Sequence, residues 1–172
     1  MKTIFLLRHG KSDWKDPSLS DYERPLKGRG VKDARSVGEF LASLKMGPDV
    51  FLSSPAERAR RTAEVVAACV SLSPRRIMWE KSIYGGSPDD ILRLLMSLSD
   101  DIEAPLIVGH NPMLEHAAVA LLIGGVENDI PTSPIRIPTA GLVCLEHDAA
   151  DWKSLGPGGC VLRWMINPKI IK

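Results

Sequence analysis

The chain has 172 residues, 44% of them hydrophobic and 25% charged, and a formal net charge of +1. A chain of that size buries a real core without disulfides or metal and suits a single domain over residues 1–172. Near-neutral charge excludes a general pull toward nucleic acid or a membrane surface, so any electrostatic function must be local.

Cys69, Cys144 and Cys160 are odd in number and far apart. That fits core thiols in a reduced, cytoplasmic compartment better than a disulfide framework. The apolar run before Arg8, Ile4 to Leu7, is only four residues long, too short for the apolar region of a signal peptide. No apolar window approaches the length of a transmembrane helix.

In chain order, Ile4-Phe5-Leu6-Leu7 reads as a buried strand that runs straight into Arg8-His9-Gly10. Such a strand delivers its last residues to the rim of a sheet, where ligands of open α/β folds bind. Arg8 can fork two hydrogen bonds onto a phosphate or carboxylate. His9 offers a nitrogen lone pair, and Gly10 allows close backbone approach or a positive φ. Three residues recur often by chance, so the motif takes its weight from other segments. The polar stretch 11–30 is long for a simple connection, and loops of that length are usually functional or disordered. Residues 8–35 hold eight Lys/Arg against five Asp/Glu, compatible with an anionic ligand or with a solvated mixed-charge surface.

Val31, Ala34, Val37, Gly38, Leu41 and Leu44 fall at helical spacing before a stop at Gly47-Pro48. Residues 49–53 predict a short strand. Ser54-Pro55-Ala56-Glu57 has the pattern of a capping box with proline in the first turn, predicting a helix from Pro55 with Ala59, Thr62, Ala63, Val66 and Val70 inward. A strand over 76–79 follows, then an N-cap at Ser87 ahead of Ile91, Leu92, Leu95 and Leu98. Residues 105–109 form a second apolar run, leading into His110-Asn111-Pro112 and a helix over Leu114, Ala117, Ala118, Leu121 and Leu122 that closes at Gly124-Gly125. A proline-marked loop spans 126–138. Strands over 142–145 and 161–166 finish the sheet, as a hairpin or near neighbours through Gly156 to Gly159. The alternation predicts a three-layer α/β/α sandwich with a mainly parallel central sheet.

Three strand-to-helix junctions therefore carry reactive groups, and in a parallel sheet the carboxyl ends of the strands share one edge. Leu7-Arg8-His9-Gly10, Arg24-Pro25-Leu26, Ser54-Pro55 with Arg58-Ala59 and Thr62, Gly109-His110-Asn111-Pro112, and Trp164 with Asn167-Pro168 form an ordered set. Through them the chain resembles the histidine phosphatase superfamily, of phosphoglycerate mutase-like fold, and within it the small phosphohistidine phosphatase, SixA-like, branch. The likeness spans essentially the whole chain.

The resemblance implies a covalent mechanism with His9 as nucleophile, Arg8 and Arg58 on the phosphoryl oxygens and His110 as a second donor. The charge balance supports it independently, because a phosphoryl group of about −1.5 to −2 charge repels an attacking nitrogen unless cations bind its oxygens. Arg58 in the first turn of a helix adds the positive end of a dipole. By the same resemblance Arg24 folds over the pocket and Ser12 can bond phosphate, with Trp14 packing the loop. Arg60, Arg61, His116 and His147 read as surface or structural residues. Glu80 is the foremost candidate for a general acid, with Asp21 and Glu23 behind it. No cofactor or metal is expected, since arginines in the pocket repel a cation and no ligand-spaced His/Cys cluster exists.

A phosphohistidine leaving group can carry its own proton on the other ring nitrogen, which points to a phosphohistidine-bearing partner protein such as a phosphotransfer domain. The alternatives are a phosphatase of small phosphoesters, a mutase, or a non-catalytic phosphoprotein-binding module. Lys11 and Lys15 stand where mutase-type relatives usually have Glu and Asn, and the chain lacks their longer insertions. A pure binder would need the arginines but no nucleophile.

Overall fold

The computed structural model describes residues 1–44, 47–124 and 133–171. Its strands are β1 (Lys2–Arg8), β2 (Val50–Ser53), β3 (Ile77–Trp79), β4 (Pro105–Gly109), β5 (Leu142–His147) and β6 (Cys160–Ile166). The helices are α1 (Gly28–Ser43), α2 (Glu57–Cys69), α3 (Ser82–Gly85), α4 (Pro88–Met96) and α5 (Met113–Ile123), with 3₁₀ turns at Pro74–Arg76 and Pro168–Ile170.

The strands form one sheet in the order β3-β2-β4-β1-β5-β6. Neighbours from β3 to β1 are parallel, and β5 alone runs against them, pairing antiparallel with both β1 and β6. The expected α/β/α sandwich with a mainly parallel sheet is what forms. Its cause is visible in β1, whose successive side chains serve opposite faces. Phe5 and Leu7 join the core beneath α1 and α2, with Phe51, Leu106 and Val108. Ile4 and Leu6 join the core beneath α4 and α5, with Leu52, Ile107 and Trp152. A strand covered on both faces reads as an unbroken apolar run, each large residue contributing roughly 1.5–3 kcal/mol of burial.

Several boundaries differ from expectation for local reasons. Helix α2 begins at Glu57, and its N-cap, Ala56, has no side-chain cap. Ser54 does not close a capping box with Glu57, because its hydroxyl oxygen accepts from the Ala56 N–H and lies 2.8 Å from His110 Nε2. The second predicted cap does form: the Ser87 N–H donates to the Asp90 carboxylate at 2.7 Å, ahead of α4. The four-residue α3 has too few residues to show a periodicity in sequence. Most of the loop predicted over 126–138 lies outside the described residues.

The register sets the site. Arg8 pairs with Gly109, and Ser53 with Val108, so β1, β2 and β4 end level on one edge. The ladder runs one residue further, with the His9 N–H on the Gly109 carbonyl and the Ser54 N–H on the Val108 carbonyl, both at 3.0 Å. Trp164 holds α1 against the sheet, its ring 5.5 Å from Phe40 and 6.0 Å from Phe5.

Candidate active site

His9 follows β1 directly and is only 8% exposed. Its Nδ1 lies 2.7 Å from the Gly10 carbonyl oxygen. A carbonyl only accepts, so Nδ1 carries the proton and Nε2 keeps its lone pair. That lone pair accepts from Arg58 Nε at 3.4 Å. Burial, with further pressure from the Arg58 and Arg8 charges, pushes the His9 pKa down to about 4, against the opposing hydrogen bond to Gly10. The ring is thus neutral at physiological pH with one nitrogen lone pair aimed at a cation.

The loop that carries His9 is pinned at several points. The Gly10 N–H donates to Thr62 Oγ1 at 3.0 Å, and the Thr62 hydroxyl donates to the Arg58 carbonyl at 2.7 Å, tying β1 to α2. Gly10 crosses the start of α1 so closely that a Cβ there would stand 2.6 Å from the Gly30 carbonyl oxygen. Gly10 is therefore required for a crossing of backbone on backbone.

The rings of His9 and His110 lie 5.1 Å apart. Burial first, then the neighbouring His9 and Arg58, lowers His110 to about 3. With Nε2 facing Ser54, His110 Nδ1 is buried and has no partner among the described residues, and the same holds for Arg8 Nε. Arg8 Nη1 donates to the Ile137 carbonyl at 3.0 Å. Burial lowers the Arg8 pKa, and Glu115 opposes that. Glu115 is itself buried on α5, accepting from Asn111 Nδ2 at 2.8 Å and from the Ile137 N–H at 2.9 Å.

Among the described residues the carboxylate bonded to Arg58 is that of Asp21. Its Oδ2 accepts from Arg58 Nη2 at 2.9 Å and from the Tyr84 hydroxyl at 3.1 Å, and its carbonyl accepts from Arg58 Nη1. Desolvation pushes the Asp21 pKa up, but the Arg58 hydrogen bond and charge, helped by Tyr84, outweigh it and leave the group below its ordinary range. The Tyr84 ring packs edge-on against both His110 and Tyr22. One edge of the sheet thus gathers two neutral imidazoles, two guanidiniums and one ionised carboxylate, an arrangement suited to binding a tetrahedral anion beside a nitrogen nucleophile.

The sequence profile of the histidine phosphatase superfamily (branch 1) matches residues 4–77. An uncharacterized protein of Mycobacterium tuberculosis (strain H37Rv) is 30% identical over 158 residues, 91% of this chain and 96% of the relative. Phosphohistidine phosphatase SixA of Escherichia coli K12 is 26% identical over 137 residues, 79% of this chain and 84% of the relative. The fold is similar to a solved structure of the protein histidine phosphatase SixA complexed with tungstate. That match has a TM-score of 0.81 and 22% identity, covering 99% of each chain. The chain belongs to the histidine phosphatase superfamily.

Within this superfamily member, His9, Arg8, Arg58 and His110 come together as the sequence suggested. Three other candidates make no hydrogen bond or ion pair to these four among the described residues. Arg24 stacks over the Trp14 ring at 3.9 Å and donates to the Asp16 carbonyl at 3.3 Å, while its buried Nε has no partner among the described residues. The Ser12 hydroxyl oxygen accepts from Trp14 Nε1 at 3.0 Å, and its backbone bridges to Leu26. Glu80 follows β3, where its N–H donates to the Ser53 carbonyl, and its side chain makes no hydrogen bond among the described residues. The sequence points to Glu80 ahead of Asp21 and does not single out Tyr84 or Glu115. Glu115, in the first turn of α5, reaches back to Asn111 ahead of the helix, and no local pattern signals that pairing. Nothing local signals Tyr84.

Proposed function

We propose that the chain is a phosphatase that works through a phosphohistidine on His9, with phosphohistidine on a partner protein as its preferred substrate. General phosphatase activity accompanies membership of the superfamily. The observation that carries the mechanism is the fixed tautomer: Nδ1–H on the Gly10 carbonyl leaves Nε2 as the attacking atom, with Arg58 beside it. In the first step Nε2 bonds to phosphorus as the bond to the leaving group breaks. In the second, water displaces His9 and inorganic phosphate departs. Arg58 and Arg8 take the oxygen charge in both steps, and His110 is a further donor. Buried donors left without acceptors cost roughly 1–3 kcal/mol, so the unpartnered Arg8 Nε favours an incoming oxygen.

The substrate reading rests on Asp21. Among the described residues it is the carboxylate hydrogen-bonded to Arg58, and it is held ionised there, which suits it poorly for protonating an alkoxide at neutral pH. An imidazole leaving group supplies its own proton. The 26% identity to phosphohistidine phosphatase SixA of Escherichia coli points the same way. The test is kcat/KM of the purified protein on a phosphorylated phosphotransfer domain against 3-phosphoglycerate and sugar phosphates. A clear preference for the protein substrate is expected. Preference for the small phosphoesters would return the phosphoester phosphatase reading to first place.

A further inference from the structure

Behind the His9 loop lies a cavity of about 340 Å³ whose charged lining is Lys11, Lys27, Arg29 and Lys169 against a single acid, Asp33. It is built from the same loops that hold the site. The Lys27 N–H donates to the Lys11 carbonyl at 2.8 Å, and the Ala140 N–H donates to the His9 carbonyl at 3.0 Å. Pro138 and Asn167 line both this cavity and a second one of about 660 Å³, lined also by Arg8, Arg136 and Glu115, with Arg136 4.0 Å from the Glu115 carboxylate. The basic groove of Lys11, Lys27, Arg29 and Lys169 thus borders the cavity that Arg8 lines.

Two features of the groove favour an anion from outside the chain. Among the described residues, Arg29 is paired with Asp33 at 3.6 Å, while Lys11, Lys27 and Lys169 pair with no acid. Like charges gathered around one concave surface repel each other and focus a positive potential. Lys27 and Arg29 also stand at the N-terminus of α1, whose first turn holds no acid. The helix dipole favours acids at that end, so the cations there work against the helix they begin.

We propose that this groove docks acidic side chains of the phosphorylated partner protein and so orients its phosphohistidine toward His9, an inference that rests on the protein-substrate reading above. The cations come from separate segments: the loop after β1, the start of α1 and the last 3₁₀ turn. They line one cavity that borders the Arg8 cavity at Pro138 and Asn167. Several spaced carboxylates of a protein face match that layout, whereas one phosphoryl group would use only a part of it.

The test is the double variant Lys27→Glu/Lys169→Glu of the full chain, assayed on two N–P substrates: phosphoramidate, and a phosphotransfer domain whose phosphohistidine is flanked by Asp and Glu. For the protein substrate, kcat/KM should fall on the order of tenfold through KM, with kcat kept and a flatter dependence on ionic strength. Phosphoramidate turnover should be unchanged. An unchanged KM for the protein substrate overturns the proposal. So does a parallel loss on phosphoramidate, which would assign the groove to the reacting phosphoryl group. If the unmodified chain instead cleaves phosphoesters and neither N–P substrate, the substrate reading fails first, and that result is distinct from either of these.

Discussion

Arg58 Nε lies 3.4 Å from His9 Nε2, and the rest of the Arg58 guanidinium is held by Asp21. A cation is thereby fixed beside the nitrogen that, in the proposed mechanism, attacks phosphorus, and both side chains are buried. Burial and that charge together keep the imidazole unprotonated, so the nucleophile needs no separate base. In the proposed mechanism the same guanidinium neutralises the charge that gathers on the oxygens of the transferring phosphoryl group.

From this pair the first prediction follows. His9→Ala should lose the phosphoenzyme and nearly all turnover, while Arg58→Ala should lose about 100-fold or more in rate by removing oxyanion stabilisation. Acid-quench mass spectrometry of the unmodified chain should place phosphate on His9. Substantial turnover by His9→Ala would sink the mechanism.

Asp21 places a negative charge next to the anion pocket while it orients Arg58. Asp21→Asn keeps an acceptor for the Arg58 Nη2 and Tyr84 donors but removes the charge. Competitive inhibition by phosphate or vanadate should then tighten several-fold, since the Coulomb repulsion on a bound dianion falls. Inhibition that weakens instead would show that the carboxylate is needed to hold Arg58 in place.

The fold was legible where the periodicity was strong. The unbroken apolar run of β1, the alternation of strands with amphipathic segments and the level ends of β1, β2 and β4 all follow from hydrophobic pattern and chain order. The convergence of His9, Arg58 and His110 was legible for the same reason, since each stands at the end of a parallel strand or just beyond it. Asp21, Tyr84 and Glu115 were harder. Asp21 sits in a loop whose path is set by the backbone bridge between Ser12 and Leu26, and Tyr84 in a helix of only four residues. The capping expectation at Ser54 failed because His110, distant in sequence, lies against the serine hydroxyl. A local pattern carries no information about such a partner.

Gly10 provides a stability test that also reaches the site. Its Cβ in Gly10→Ala would meet backbone, the Gly30 carbonyl at 2.6 Å, so the loop after β1 or the start of α1 must shift. Overpacking of this kind costs roughly 1–3 kcal/mol. The shift should displace His9 through its neighbour and lower kcat by more than the loss of folded protein explains. Denaturant unfolding alongside kcat separates the two effects, and an unaltered kcat would mean that the loop absorbs the methyl without moving His9.

The buried histidines also predict how stability depends on pH. His9 falls to about 4 and His110 to about 3 in the folded chain, mainly through desolvation, while an unfolded histidine titrates near 6.5. Above about pH 6.5 both states are neutral at these positions and the groups contribute nothing to the pH dependence. As pH drops below that value, the unfolded chain takes up protons that the native chain does not, so the unfolded state binds more protons and the unfolding free energy falls with pH. The slope approaches about 1.4 kcal/mol per pH unit for each histidine at most, and it ends as the pH passes through the folded values. Asp21, with its pKa held low, adds loss of the same sign only in more acid solution. Urea unfolding at pH 7 and pH 5 should therefore show a clear drop in midpoint, and the double variant His9→Asn/His110→Asn should show a smaller one. An equal drop in both proteins would place the acid sensitivity elsewhere and remove the support for two neutral imidazoles in the native site.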